Sequence, residues 1–552
     1  AECLLNGCQR PGILFSAMAS VTSGPLVPSV VADAPDESRA TSPSSVISRP
    51  SSQPIGDDVC ETTVLIIGGG PHALAVLSAL HERALAFGEH MTPAAFEHHV
   101  GYANLKRVGS VCVIDPGAGF IEGWRKRFEL LGIKHLRSPA FAHPSAFEPQ
   151  ALMDFAIRHG REGELVNTPA TSHRSGPLAA EDLQQPLLHG LPSTSLFNDF
   201  CASLASKLPH RWLSGTATGI AKGCNGSYRV QYVPSARPAA ISTVVASAVI
   251  FATGPAGEWN VPVPFRAALG TPSSSSALGT PSIRHTEELF AAGTMRTVGQ
   301  HRRAVDRLSM LVVGGGLTAA QVALTAVEEG HRVVLLSRRP LQTRAYDVDK
   351  EWLDLRHTNR MRFEFLTATS CERMRMLRDS RGGGSVPASY MERLRRLAAT
   401  TDSLEVQVDP HIDESTVSLD KGKVLVNGAA FDHVVLATGT SVAPMLSPLF
   451  KQAQAVFDAP TCGSLPKPDS SLRWVDGEDL FVVGANAMLE LGPGALNLMG
   501  AMRGAKAVAQ ELHGLMWTRV QKQRAAVRNM FELLAASSDD ASDDASDDAS
   551  DD

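Results

Sequence analysis

The chain has 552 residues, 43% hydrophobic and 20% charged, with a formal charge of −6. That length predicts two or three domains, and the longest apolar runs, such as Val244 to Ala252, fall far short of the ~18 residues a bilayer-spanning helix needs. The charge is misleading: Ser537 to Asp552 repeats Asp-Asp-Ala-Ser with eight Asp, and without it the remainder carries +2, which leaves no basic excess to suggest a nucleic-acid surface.

Residues 1–59 are rich in Ser, Pro, Ala and Val with no helical or strand period, and are expected to be disordered, like the acidic tail 536–552. The tail reads as solubilising, with an interaction role as the alternative. The chain does not begin with Met; Met18-Ala19-Ser20 would make a plausible start, and Asp33, Asp36 and Glu37 weigh against a transit peptide. The eight cysteines (Cys3, Cys8, Cys60, Cys112, Cys201, Cys224, Cys371, Cys462) include no C-x-x-C, which disfavours a redox disulfide or a zinc site; no metal is expected. Such usage fits a reducing compartment, read as the cytoplasm, with organelle targeting by the N-terminal segment left open.

The first predicted unit begins after Cys60. The apolar run Thr62 to Ile67 reads as a strand, and Gly68-Gly69-Gly70-Pro71-His72-Ala73 is a G-x-G-x-x-A turn opening an Ala/Leu-rich helix. A strand, a tight glycine turn and a helix N-terminus present backbone N–H groups and a positive helix end to a pyrophosphate. Val111 to Asp115 reads as the next strand. Asp115 terminates it 45 positions after Gly70, against the usual ~20, the excess being an apparent insert from Thr92 to Arg107. A carboxylate there accepts ribose hydroxyls; a simple turn Asp before Pro116-Gly117 is the alternative. Trp124 to Phe155 is mixed, Leu191 to Leu208 reads as a helix capped near Ser193 or Thr194, and strands follow at Tyr228 to Val233 and Val244 to Phe251, ending in Ala252-Thr253-Gly254.

After a serine-rich loop, Gly270 to Ser282, the pattern repeats. Leu308 to Val313 reads as a strand before Gly314-Gly315-Gly316-Leu317-Thr318-Ala319, again G-x-G-x-x-A, 246 positions after the first. The following strand, His331 to Leu336, ends in Ser337-Arg338-Arg339. An acid here would repel a 2′-phosphate, whereas Ser and Arg bind one. The first site therefore suits an unphosphorylated adenosine (FAD or NAD) and the second NADP. Asp432 to Leu436 leads to a second Ala437-Thr438-Gly439, and Asp479 to Gly484 leads through Gly492-Pro493-Gly494-Ala495-Leu496-Asn497 into a long helix ending near Leu512.

Taken together, this order of turns, Asp115, two Ala-Thr-Gly strands and Gly-x-Pro before a last helix resembles the two-dinucleotide-binding-domain flavoproteins. Within them it looks most like the class B flavin monooxygenases, near the N-hydroxylating lysine and ornithine monooxygenases. Gly68-x-Gly70-Pro71-x-x-Leu74-Ala75, the insert before Asp115, Trp124 soon after it, and His285-Thr286 ahead of the second turn carry that likeness. Asp115 stands where Glu is usual, Arg125 where the amino-acid hydroxylases have His, and His135-Leu136-Arg137-Ser138-Pro139 replaces an Asp-Leu-Val-Thr type segment, so the substrate is left open. The Baeyer–Villiger fingerprint is not convincingly present.

The resemblance implies an α/β fold of two Rossmann-like domains, an FAD domain (60–265 and 438–535) with an inserted NADPH domain (266–437, including the loop 266–305). It implies FAD on Gly68, Gly70, Pro71, His72, Asp115, Thr253, Gly254, Gly484, Gly492, Gly494 and Asn497. It implies NADP on Gly314, Gly316, Thr318, Ala319, Ser337, Arg338, Arg339, Thr438 and Gly439. NADPH would reduce the flavin, and one atom of dioxygen would pass to a soft nucleophile of a small-molecule substrate, an amine nitrogen by preference. No catalytic side chain is required of the protein. Trp124, Arg137, Ser138 and His143 are candidates to line the flavin face, and one of Asp347, Asp349 and Trp352 to face substrate. An NADPH oxidase or reductase releasing peroxide and a nucleotide-sensing regulator are the alternatives; the oligomeric state is open.

Overall fold

In a computed structural model of the chain, residues 59–89, 110–166, 189–269, 283–291, 307–352, 355–381, 383–408, 412, 416–420, 422–515, 525 and 529–530 are described. The insert Thr92 to Arg107, the serine-rich loop, and the tails up to residue 58 and from 536 lie outside them. In chain order the principal elements are β1 (Cys60–Ile67), α1 (Pro71–Glu89), β2 (Val111–Asp115), α2 (Glu122–Leu130), α3 (Ala151–Arg158), α4 (Thr194–Lys207), β3 (Arg211–Lys222), β4 (Tyr228–Pro234) and β5 (Ser242–Phe251). Then come β6 (Ile283–His285), β7 (Ser309–Val313), α5 (Leu317–Glu328), β8 (Arg332–Ser337), β9 (Gln342–Thr343), α6 (Leu355–Thr367), α7 (Ser370–Arg381), β10 (Ser385–Val386), α8 (Ala388–Thr400), β11 (Leu404–Val408), β12 (His433–Leu436) and β13 (Leu480–Val482). A last helix, α9, covers 498–515.

The first sheet sets β1 between β2 and β5, parallel to both, with β3 beyond β2 and β13 beyond β5, also parallel. Strand β4 joins β3 to β5 by antiparallel pairing. The second sheet is parallel throughout, in the order β11-β8-β7-β12-β6. β1 and β7 thus each sit where the strand order reverses, the place at which α/β sheets open a crevice beyond the strands' C-terminal ends.

Local chemistry explains the key elements. Val64, Leu65 and Ile66 of β1 are wholly buried, as a central parallel strand covered on both faces should be. The small and branched residues of α1 let it seat closely on the sheet, with Ala73 to Leu77 inaccessible. Ser193 caps α4 by accepting the Leu196 N–H at 3.0 Å, and the preceding Leu191–Pro192 is a short strand rather than the helix start the sequence suggested. The last helix likewise begins later than Pro493 implied: Pro493–Leu496 is a 3₁₀ turn, and α9 starts after Asn497. Neither β3 nor the helices α6 to α8 was read from the sequence. In β3 the first four residues pair with β2 and the rest with β4 across a bulge at Ala217/Gly219, which breaks the alternation a strand prediction needs. Of the cysteines, Cys60, Cys112 and Cys201 are buried, Cys462 is half-buried, and Cys224 and Cys371 are exposed. No described helix is long and apolar enough to cross a membrane, and no described group of His, Cys, Asp or Glu could hold a metal.

Candidate functional site

The first glycine turn is built by two close approaches. Gly68 has φ +108°, and a Cβ there would lie 2.4 Å from the Ala252 carbonyl oxygen, so only glycine fits. Its N–H donates to the Ile114 carbonyl (2.8 Å), tying the turn to β2. Gly70 differs: a Cβ there would meet nothing within 4 Å. Glycine at this position holds space free at the α1 N-terminus.

Asp115 lies beside the turn. Its carboxylate accepts the Gly69 N–H at 2.7 Å and the Gly117 N–H at 2.8 Å, one on each oxygen. Each oxygen keeps a lone pair for a further donor. The sequence missed Trp212, whose indole packs against Gly69, donates to the Gly117 carbonyl (2.9 Å) and meets Phe120 edge-on at 5.0 Å. Only its place at the start of β3 could have signalled it.

These groups open onto a cleft of about 710 Å³, within the range of cofactor sites. Gly68, Gly70, Pro71, His72, Asp115, Thr253, Gly254 and Asn497 all line it. Asn497 caps α9, its side-chain oxygen accepting the N–H groups of Met499 (3.0 Å) and Gly500 (3.2 Å), so the positive end of α9 faces the cleft. Gly484, Gly492 and Gly494 are not among the lining residues. Gly484 gives room to the His72 ring, Gly492 packs beside Trp352, and the Gly494 carbonyl accepts the Asn497 N–H at 3.0 Å, so they shape the wall behind the cleft.

Two polar atoms beside the cleft are buried without partners, His72 Nδ1 and Asn486 Oδ1. Burial pushes the His72 imidazole down to about 4, against a backbone hydrogen bond at Leu496, so it is neutral at pH 7. Asn486, which the sequence did not single out, donates to Thr253 Oγ1 at 3.2 Å and to the Phe251 carbonyl at 3.3 Å. Orphaned polar atoms, an open cradle at Gly70 and a ribose-compatible carboxylate together fit an FAD molecule.

Of the candidates for the flavin face, Trp124, Arg137 and Ser138 line the cleft. Trp124 is stacked on Phe128 (3.7 Å between centroids) and tilted against Phe197 (5.3 Å). Arg137 is fully engaged with protein: it donates to the carbonyls of Arg344, Ala345, Tyr346 and Ser385 and to Ser385 Oγ. His143 is a correction. It lies in the core, not the cleft, edge-on to Phe200 at 5.1 Å with Nε2 3.3 Å from the Pro149 carbonyl, and burial pushes it down to about 4. Of Asp347, Asp349 and Trp352, Asp347 alone reaches the cleft; Asp349 pairs with Arg344 (3.3 Å) and Trp352 is buried.

The second turn repeats the first at Gly314, where a Cβ would lie 2.3 Å from the Ala437 carbonyl oxygen. Gly316 caps α5, placing Thr318 and Ala319 in its first turn. Ser337 is buried under Gly315 and donates to the Arg339 carbonyl at 2.7 Å, while Arg338 and Arg339 are exposed just beyond the C-terminal end of β8. Gly384 packs onto the turn: a Cβ there would stand 2.7 Å from Gly316 Cα.

Thr438 and Gly439 sit where the two connections between the sheets cross. The Thr438 hydroxyl donates to the Asn260 carbonyl, the Asn260 N–H donates to Gly439 O at 2.9 Å, and Trp259 bridges Thr440. His285 seals this crossing, stacked on Trp259 (5.2 Å), with Nδ1 accepting the Glu287 N–H and Nε2 left to donate to Gly439 O. Thr438 therefore spends its hydroxyl proton on the connection.

No protein-family model and no curated protein matches the chain. Solved structures do match in fold. Ornithine hydroxylase from Pseudomonas aeruginosa aligns with TM-score 0.57 at 15% identity, over 82% of this chain and 99% of that one. The ornithine N-hydroxylase of Kutzneria sp. 744, solved with reduced FAD, NADP⁺ and L-ornithine, aligns with TM-score 0.57 at 16% identity, over 83% and 99%. The FAD-bound cadaverine monooxygenase of desferrioxamine biosynthesis from Erwinia amylovora aligns with TM-score 0.55 at 16% identity, over 82% and 94%.

Proposed function

We propose that the chain is an FAD- and NADPH-dependent monooxygenase that transfers one atom of dioxygen to a soft nucleophile, an amine nitrogen by preference. The observation that carries this is the first glycine turn: Gly70 opens onto a cleft whose wall holds the Asp115 carboxylate, while Gly68 is locked to β5. The likeness in fold to three N-hydroxylating enzymes, over 82–83% of this chain, supports it. In this reading residues 60–265 and 438–535 form the flavin domain and 266–437 the nicotinamide domain.

The net reaction is R-NH₂ + O₂ + NADPH + H⁺ → R-NHOH + H₂O + NADP⁺. Bound FAD supplies the electron relay and the activation of dioxygen. The chain's own residues do the rest. The α1 N-terminus and the space at Gly70 receive the pyrophosphate, and Asp115 accepts the ribose hydroxyls. The α9 N-terminus and its Asn497 cap direct positive potential into the cleft, where they would offset negative charge on a bound flavin. Trp124, Phe128 and Leu136 give the lining an apolar stretch that keeps water off the reacting atoms. Arg338 and Arg339 receive the NADPH 2′-phosphate.

The test is aerobic NADPH oxidation by the purified flavoprotein with a panel of amines and thioethers, reading product mass and peroxide together. One oxygenated product per NADPH is expected. Stoichiometric peroxide with every compound would replace the reading with an oxidase, and failure to retain FAD would leave the nucleotide-sensing regulator.

A further inference from the structure

The charges lining the cleft are almost all spoken for. Lys126 pairs with Glu122 at 2.5 Å, and Arg127 with Glu287 at 2.7 Å. Arg137 is saturated by backbone carbonyls and Ser385. Asp115 is held by two N–H groups. Burial keeps His72 and His135 below the ordinary imidazole range. Asp347 is the exception. It lines the cleft, is half-buried, and makes no hydrogen bond or ion pair with any described residue.

Its position is fixed by Arg137, which also lines the cleft. Arg137 donates to the carbonyls of Arg344, Ala345 and Tyr346, three consecutive residues that end immediately before Asp347. Five backbone and side-chain acceptors for one guanidinium is far more than a fold contact needs, and it pins the segment that carries the carboxylate. Among the described residues, Leu317, at the start of α5, and Asp347, in the segment after β9, are the only lining residues that come from 266–437.

We propose that Asp347 is the substrate-recognising acid of this site and that the substrate is a diamine, with Arg137 as the residue that positions it. This rests on the monooxygenase reading above. The nitrogen to be oxygenated must offer a free lone pair, so it arrives unprotonated and cannot be the group that a carboxylate holds. The partner of Asp347 is therefore a second, protonated nitrogen on the same molecule. An amino acid would bring a carboxylate as well, and each cation of the lining, among the described residues, already has its partner. A net-cationic diamine meets the one unmatched charge and adds none.

Three probes that differ by one charged group test this: 1,5-diaminopentane, n-pentylamine (no second ammonium) and L-lysine (an added carboxylate). The FAD-loaded enzyme is assayed for coupled NADPH oxidation, and binding to the oxidised flavoprotein is measured by calorimetry. The diamine is expected to have the highest kcat/KM and the tightest binding. Asp347→Asn, an isosteric change, is expected to lower the diamine-to-pentylamine ratio of kcat/KM about tenfold, the scale of one charge-assisted hydrogen bond, and to weaken diamine binding equally. Asp349→Asn, two residues along and paired with Arg344, should leave that ratio in place. Arg137→Lys should raise the diamine KM with less effect on kcat. An unchanged ratio in Asp347→Asn, or a preference for L-lysine or pentylamine in the parent enzyme, would overturn the assignment while leaving the monooxygenase intact. A flavoprotein that oxidises NADPH but couples to none of the three would overturn the diamine class. One that does not oxidise NADPH would overturn the monooxygenase reading, and the assignment with it.

Discussion

Gly68 and Gly314 end equivalent strands and are locked in the same way, each against the carbonyl of the strand beside it, whereas Gly70 and Gly316 two residues on have different surroundings. Nothing lies within 4 Å of a Cβ built at Gly70, but at Gly316 the Gly384 Cα stands 3.4 Å away. The same G-x-G pattern thus separates two duties. Its first glycine belongs to the fold, and its second belongs to whatever approaches the helix. At the first turn that space is open; at the second a neighbouring loop takes part of it.

The sharpest way to break this comparison is at Gly70. Gly70→Val is expected to fold, since no protein atom is displaced, and to purify without FAD; a yellow variant would refute the assignment of the first turn. Gly68→Ala is expected to do the reverse. Its Cβ collides with the Ala252 carbonyl in a backbone region alanine rarely adopts, at a cost of about 3 kcal/mol read by urea unfolding. A loss under about 1 kcal/mol would show the strand-turn contact to be slack.

At the second turn, replacing Arg338 and Arg339 together by Ala is expected to raise KM for NADPH about tenfold and to leave KM for NADH nearly unchanged, because both residues are exposed and the proposed reading gives them the 2′-phosphate and no other part of the coenzyme. Equal effects on the two coenzymes would remove that role.

A smaller, distributed effect concerns acid. His72 and His143 are held neutral near a pKa of about 4, below their ordinary 6.5, by burial. A depressed folded pKa means that the unfolded chain binds more protons as pH falls, so this stability is complete above pH 6.5 and is lost toward pH 4. His143→Phe, into a pocket already lined by Phe200, should flatten part of the fall in unfolding free energy between pH 6.5 and 4.5. A slope identical to that of the parent chain would show His143 to be solvated.

How much of this was legible in the sequence divides along the same line. Strand ends and glycine turns are local, so Gly68, Gly70, Asp115 and the Ser193 cap could be read from spacing alone. What closes the cleft is not local. Arg137 reaches the carbonyl of Arg344, 207 positions away, and Asn486 reaches Thr253 across 233. Trp212 stands at the start of a strand that changes partners halfway, so no alternation marked it. His143 looked available because it lies in a stretch with no clear period; the burial that removes it from the cleft comes from Phe200 and the rest of the α3–α4 cluster. Asp347 and Asp349 are indistinguishable by sequence; the cleft lining, which includes Asp347 alone, and the Arg344 ion pair, which engages Asp349, separate them.

The most direct measurement is anaerobic reduction of the purified protein's bound flavin by NADPH and by NADH, followed by rapid mixing in the visible absorbance. One FAD per chain, bleached far faster by NADPH than by NADH at equal low concentration, is the predicted result. Protein that carries no flavin, or flavin that both coenzymes reduce at the same rate, would contradict the assignment of the two turns.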